Sequence, residues 1–135
     1  MKISKTAKKL GFRSGLEEKV AKQLGQAGVA FEYETTKIAY VVPESLHKYT
    51  PDFVLPNGII VETKGRFVVS DRKKHLLIQK QRPDLDIRFV FSNSKTKISK
   101  GSKTSYADWC NKNNFTFADK EIPEEWLIGK DKKTL

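Results

Sequence analysis

Two carboxylates and an ammonium group, set in Tyr49-Thr50-Pro51-Asp52 and Val61-Glu62-Thr63-Lys64, are the residues of this chain best suited to chemistry. Asp52 and Glu62 lie ten positions apart, and Lys64 follows two positions later. Two carboxylates offer the hard oxygen ligands that Mg²⁺ takes, and a neighbouring lysine can offset the charge that develops when water attacks a phosphodiester. Their convergence depends on the residues between them. Thr50 to Leu55 and Ile59 to Lys64 read as short strands, and Pro56-Asn57-Gly58 is a turn signal. Pro56 and Asn57 suit the centre of a type I turn, with Gly58 in the left-handed position that closes a three-residue hairpin. That loop length pairs Leu55 with Ile59, Val54 with Ile60, Phe53 with Val61 and Asp52 with Glu62. Opposed residues share a face with Cβ atoms roughly 5 Å apart, and Lys64 joins the same face. A two-residue turn on Asn57-Gly58 would instead pair Asp52 with Thr63 and separate the carboxylates. Opposed carboxylates repel unless a cation or proton intervenes, so a half-buried hairpin with charged ends is the poorer reading.

The charge balance agrees. Twenty-six basic against 16 acidic residues give a net charge of +10, and the pI is near 9.7, which points to a polyanionic partner. At 135 residues the chain is most simply one domain with a core of its own. No apolar run could span a bilayer, and no apolar segment follows the basic N-terminus as a signal peptide requires. Cys110 is the single cysteine, which excludes an internal disulfide and a cysteine-built zinc site and is consistent with a reducing compartment.

The remaining sequence supplies the scaffold. Residues 1–12 read as a basic, mobile arm, 13–128 as one domain and 129–135 as a polar tail. Ser14-Gly15-Leu16-Glu17 opens a helix with a capping-box pattern; Leu16, Val20, Leu24 and Ala27 form its apolar stripe, and Gly28 stops it. Val29 to Ile38 alternates as a strand does, with Phe31 and Tyr33 on one face and Glu32 and Glu34 on the other. Ala39 to Lys48 is extended, and Pro43 disfavours regular interior pairing there. Ser70 caps a second helix that runs to about Arg82, where Pro83 ends it. Asp86 to Phe91 is a strand and Ser92 to Lys103 a Ser/Lys-rich loop. Thr104 or Ser105 caps a third helix with Tyr106, Trp109 and Cys110. Phe115 and Phe117 mark an extended piece, and Pro123 to Leu127 a helical turn. Cys110, Trp109 and Trp126 read as core. His47 and His75 read as structural or polyanion-contacting residues rather than metal ligands. By spacing alone Glu17 is as much a helix cap as a site residue.

The order helix, strand, strand, strand, helix, strand, helix resembles the α/β core of the PD-(D/E)xK nucleases, also called restriction-endonuclease-like, in which a central mixed sheet is flanked by helices. A narrower resemblance covers about Phe12 to Trp126. It is carried by Phe12-Arg13-Ser14-Gly15-Leu16-Glu17, Phe31-Glu32-Tyr33-Glu34, the Asp52 and Glu62 motifs, Leu55-Pro56-Asn57-Gly58, Asp71-Arg72-Lys73-Lys74-His75-Leu76-Leu77 and Thr104-Ser105-Tyr106. These runs resemble endonuclease I of the T-odd bacteriophages, a family that resolves four-way (Holliday) DNA junctions. The resemblance implies catalytic residues Glu17, Asp52, Glu62 and Lys64. It implies two Mg²⁺ per site, with Mn²⁺ as a substitute: one held by Asp52, Glu62 and the Thr63 carbonyl, the other by Glu17 and Asp52. Lys64 would orient the attacking water or balance charge. It further implies a homodimer that exchanges strands, with residues 39–48 as the bridge, hydrolysis leaving 5′-phosphate ends, no membrane, and the cytoplasm of a host bacterium. By charge and position the expected DNA contacts are Lys5, Lys8, Lys9, Arg13, Ser14, Arg66, Arg72, Lys73, Lys74, Lys95, Lys97 and Lys100. A sequence- or mismatch-directed nuclease of the same superfamily and a non-catalytic junction binder are the alternatives.

Overall fold

The computed structural model describes residues 14–42 and 45–128. The expected basic arm, with Lys5, Lys8, Lys9 and Arg13, and the polar tail lie outside the described residues.

A five-stranded mixed sheet is the frame. Its strands are β1 (Glu32–Tyr33), β4 (Phe53–Val54), β5 (Ile59–Lys64), β6 (Asp86–Phe91) and β7 (Thr116–Asp119), side by side in that order. β4 runs antiparallel to both of its neighbours, β1 and β5, while β5, β6 and β7 are parallel. β2 (Ile38–Val42) and β3 (Ser45–Tyr49) form a separate antiparallel hairpin. Helices α1 (Gly15–Gln26), α2 (Val69–Gln81), α3 (Tyr106–Lys112) and α4 (Glu124–Leu127) complete the fold. The class is mixed α/β, a central sheet flanked by helices.

The period-2 alternation of the central strands divides the core in two. Ile60, Ile87, Phe89 and Phe91 pack with Phe67, Ile78, Tyr106, Trp109, Cys110, Phe115 and the hairpin residues Ile38, Tyr40 and Tyr49. Phe53, Leu55, Ile59, Val61 and Val90 pack on the other side with Leu16, Val20, Ala21 and Leu24 of α1 and with Ile122 and Trp126. Cys110 is fully buried, and burial pushes its thiol up to about 12, as a core cysteine requires.

The element boundaries carry several corrections. Ser14 caps α1 through its hydroxyl, which accepts from the Glu17 amide at 3.1 Å, and Gly28 closes it at φ 68°. The strand expected over 29–38 is reduced to Glu32–Tyr33, because Glu34 turns into the left-handed region at φ 53° and breaks the alternation. Residues 39–42 and 45–48 are paired rather than an unpaired extended segment: Ile38 opposes Tyr49 and Val42 opposes Ser45, while Pro43 lies outside the described residues. α2 begins at Val69, ahead of the expected Ser70 cap, and has no side-chain cap. Its inward face is Arg72, His75 and Ile78, so two of three buried positions are polar and no apolar stripe was there to read. Gln81 at its end holds the β2 edge by donating to the Val41 carbonyl and accepting from the Val41 amide. α3 begins as expected, with Ser105 and Asp108 forming a reciprocal capping box.

Candidate active site

The turn at 56–58 has the expected register. Phe53 opposes Val61 and Val54 opposes Ile60; the Leu55 amide donates to the Ile59 carbonyl at 2.9 Å, and Gly58 sits at φ 90°. The strand stops short of Asp52, however. There the ladder passes from backbone pairing to side chains. The Asp52 amide donates to Glu62 Oε2 at 2.7 Å, and Asp52 Oδ2 accepts from both the Thr63 amide and the Thr63 hydroxyl at 2.9 Å. Each carboxylate thus satisfies a backbone donor that a longer β4 would have paired, which is why a strand expected over 50–55 spans only Phe53–Val54.

Glu62 lies on the sheet face covered by α2, whereas Glu17 rises from α1 on the other face. Asp52, at the end of β4, joins them. One carboxylate oxygen from each of Glu17, Glu34 and Asp52 lies within 4.8 Å of the others. Asp52 and Glu17 are buried and Glu34 is half-buried. The Tyr33 hydroxyl donates to Glu17 Oε2, so this glutamate is used inward rather than only as a helix cap. Burial first, then the hydrogen bond and charge of Glu17, raise the Tyr33 pKa and keep its proton in place as a donor. Glu34 reaches the cluster because its left-handed backbone turns it inward, with its amide donating to the Asp52 carbonyl at 3.3 Å. The alternation over 29–38 instead puts Glu34 on the polar face of a continuing strand, away from any site. The Phe-Glu-Tyr-Glu run was the one visible signal.

Lys64 Nζ stands 3.9 Å from Glu62 Oε1 and 3.6 Å from Asp71 Oδ1, so the ammonium is fixed at the edge of the carboxylate group. Asp71 was not singled out from the sequence. Burial is the first cause that pushes the Asp52 carboxyl up to about 7, followed by the charge of Glu62; the two Thr63 hydrogen bonds pull the other way. For Glu62 burial also works upward, but His75, Lys64 and the Asp52 amide outweigh it and hold the group below its ordinary range. Adjacent carboxylates with opposed shifts concentrate negative charge that a divalent cation would offset. The all-oxygen donor set fits Mg²⁺ or Mn²⁺ and not a thiolate-seeking metal.

The basic residues divide by burial. Arg66, Lys73, Lys95, Lys97 and Lys100 are exposed, and Lys74 is half-buried with Nζ 5.8 Å from the centre of the Tyr49 ring. Ser14 is engaged as the α1 cap. Arg72 is a correction: it is buried, and its guanidinium donates to the carbonyls of Phe67 at 2.6 Å and Ile98 at 3.2 Å. It ties the segment after β5 to the 92–104 loop and is turned away from solvent. His47 is exposed on β3, and His75 is fully buried beside Glu62.

A sheet-end carboxylate cluster with a fixed lysine, on a strongly basic chain, is the equipment of a nuclease. The sequence pattern of the phage endonuclease I family matches residues 1–134, and the chain belongs to that family. It is 61% identical to "Endonuclease I" of Escherichia phage T7 over 125 residues, 92% of this chain and 84% of that one. It is 62% identical to "Endodeoxyribonuclease 1" of Enterobacteria phage T3 over 112 residues, 83% of this chain and 74% of that one. The chain is accordingly an endodeoxyribonuclease. No helix among the described residues is long and apolar enough to cross a membrane.

Proposed function

We propose that this enzyme is a Mg²⁺-dependent, structure-selective endonuclease that resolves four-way DNA junctions, built on a PD-(D/E)xK core. The observation that carries this reading is the convergence of Glu17, Glu34 and Asp52 oxygens within 4.8 Å, beside Glu62 and Lys64. Asp52, Glu62 and the Thr63 carbonyl would hold one Mg²⁺, and Glu17 with Asp52 a second; Glu34 adds an oxygen to that second group. When bound, Mg²⁺ lowers the pKa of water and offsets charge on the phosphate. The chain's own part is positional. Thr63 fixes the Asp52 carboxylate, Tyr33 fixes Glu17, and Asp71 with Glu62 aims the Lys64 ammonium where it can donate hydrogen bonds to water or phosphate. Cleavage would leave 5′-phosphate and 3′-hydroxyl ends.

We also propose a homodimer, since two symmetric cuts call for a two-fold pair of sites. The β2–β3 hairpin supports strand exchange at positions 43–44. Val41 and Leu46 oppose each other across it and are 47% and 71% exposed, an apolar pair that a partner chain would cover. Opening the hairpin there would hand α1, β1 and β2 to the partner.

The test is a labelled four-way junction incubated with the purified protein, with and without Mg²⁺. Paired cuts with Mg²⁺ and binding alone without it are expected; equal cutting of linear duplex would favour a sequence-directed nuclease, and binding that never leads to cutting would favour a binder. DNA contact by phosphate neutralisation predicts a log-log salt slope of about −5 for roughly six contacts. Lys73→Ala should make that slope shallower by about 1 with little change in stability. Arg72→Ala should do the reverse: it leaves the slope alone and lowers Tm by on the order of 10 °C, since two carbonyl acceptors lose a buried charged donor. Matching salt slopes for Lys73→Ala and wild type would remove Lys73 from the interface.

A further inference from the structure

Glu62 is enclosed by more polar atoms than its own hydrogen bonding uses. Its Oε2 accepts from the Asp52 amide at 2.7 Å, while Oε1 lies 3.5 Å from His75 Nε2 and 3.9 Å from Lys64 Nζ. His75 is completely buried and Tyr49 is 1% exposed. The Tyr49 hydroxyl and both ring nitrogens of His75 form no hydrogen bond of good geometry among the described residues. Unpaired buried polar groups are costly, and two of these three atoms, His75 Nε2 and the Tyr49 hydroxyl, neighbour the Glu62 carboxylate, which calls for a reason.

Packing rules out a chance orientation. The His75 ring stands edge-on to Tyr49 at 5.4 Å and to Phe89 at 4.9 Å, and Phe115 closes a further side at 6.5 Å. The Tyr49 ring is held in turn by His75 and by the Lys74 ammonium 5.8 Å from its centre. Neither ring is open to solvent, and Oε1 lies at the outer limit of hydrogen-bond distance from the imidazole.

We propose that Tyr49 and His75 are positioning residues, a buried donor pair that orients the Glu62 carboxylate and completes its hydrogen bonds when Glu62 takes up a divalent cation. Outer donors of this kind set the direction and basicity of a ligand carboxylate, and losing one typically weakens metal binding tenfold or more. The inference rests on the reading that Glu62 is a metal ligand.

The experiment is calorimetric titration of the full-length chain with Mn²⁺, for wild type, Tyr49→Phe, His75→Leu and His75→Gln, each also in a Glu62→Ala background. Tyr49→Phe and His75→Leu should each lower Mn²⁺ affinity about tenfold. His75→Gln, whose amide can place a nitrogen near the position of Nε2, should recover most of the loss. In the Glu62→Ala background the three changes should cost nothing further, which a general packing defect would not reproduce. Unchanged affinity in folded Tyr49→Phe, or a loss that persists without Glu62, overturns the proposal; if His75→Leu fails to fold by circular dichroism, Tyr49→Phe decides. A wild type that binds no Mn²⁺ overturns the metal reading itself, which is a separate result.

Discussion

Asp52→Asn is expected to reduce junction cleavage by about a thousandfold or more while leaving junction binding intact. The residue is the hinge of the site: it shares the close oxygen group with Glu17 and Glu34, donates its amide to Glu62 and takes two hydrogen bonds from Thr63. A metal that supplies several kcal/mol of charge stabilisation, at 1.36 kcal/mol per decade of rate, sets that scale. Asparagine keeps the shape and can still accept from Thr63, so the scaffold should survive. Single-turnover cutting of a labelled junction, alongside a band-shift titration without metal, measures both halves. Cleavage within tenfold of wild type would remove Asp52 from the chemistry.

The same substitution has an opposite effect on stability. Burial, then the charge of Glu62, pushes the folded Asp52 carboxyl up to about 7, against an ordinary value of 3.8. Between those values the folded, metal-free protein binds the extra proton, so stability falls as pH rises from about 4 to about 7 and stays low above it, by an amount on the order of several kcal/mol. Asp52→Asn has no such charge to bury. At pH 8 without metal it should therefore unfold at a higher temperature than wild type, with the two converging near pH 4. In wild type Mg²⁺ or Mn²⁺ should raise Tm at pH 8, and the variant should respond less. A variant less stable than wild type at pH 8 would contradict the burial argument.

How far the site was legible depended on local rules. Pro56-Asn57-Gly58 fixed loop length, loop length fixed register, and register brought Asp52 to Glu62; every step is short-range chemistry. The capping serines at 14 and 105 and the proline after α2 were readable for the same reason. Glu34 was not, because a left-handed glutamate is set by the packing of β1 against β4 and leaves no mark on the alternation around it. Arg72 misled because a basic residue near a helix N-terminus reads as surface, while here two distant carbonyls supply its partners. His75, expected to be structural or polyanion-contacting, is fully buried. Its neighbourhood with Tyr49 and Glu62 joins three separate elements, which spacing cannot reveal.

Strand exchange predicts a rescue that a closed monomer fold forbids. In the described chain Glu17 and Glu34 precede positions 43–44, while Asp52, Glu62 and Lys64 follow them. If the β2–β3 hairpin opens there in the dimer, every site combines the first group from one chain with the second group from the other. Take Glu17→Gln and Asp52→Asn, each expected to be inactive as a homodimer. In an exchanged heterodimer of the two, one site collects both defects and the other collects none. Co-expressed, differently tagged chains purified as the mixed dimer should then nick the junction at up to roughly half the wild-type rate, cutting one strand rather than two. Without exchange each site keeps one defect and the mixed dimer stays as inactive as its parents. The contrast is between no cutting and near-normal cutting at one site, so modest changes in affinity cannot blur it. Mixing the purified homodimers should restore activity only slowly, because exchange requires the hairpin pairing from Ile38–Tyr49 to Val42–Ser45 to be broken first.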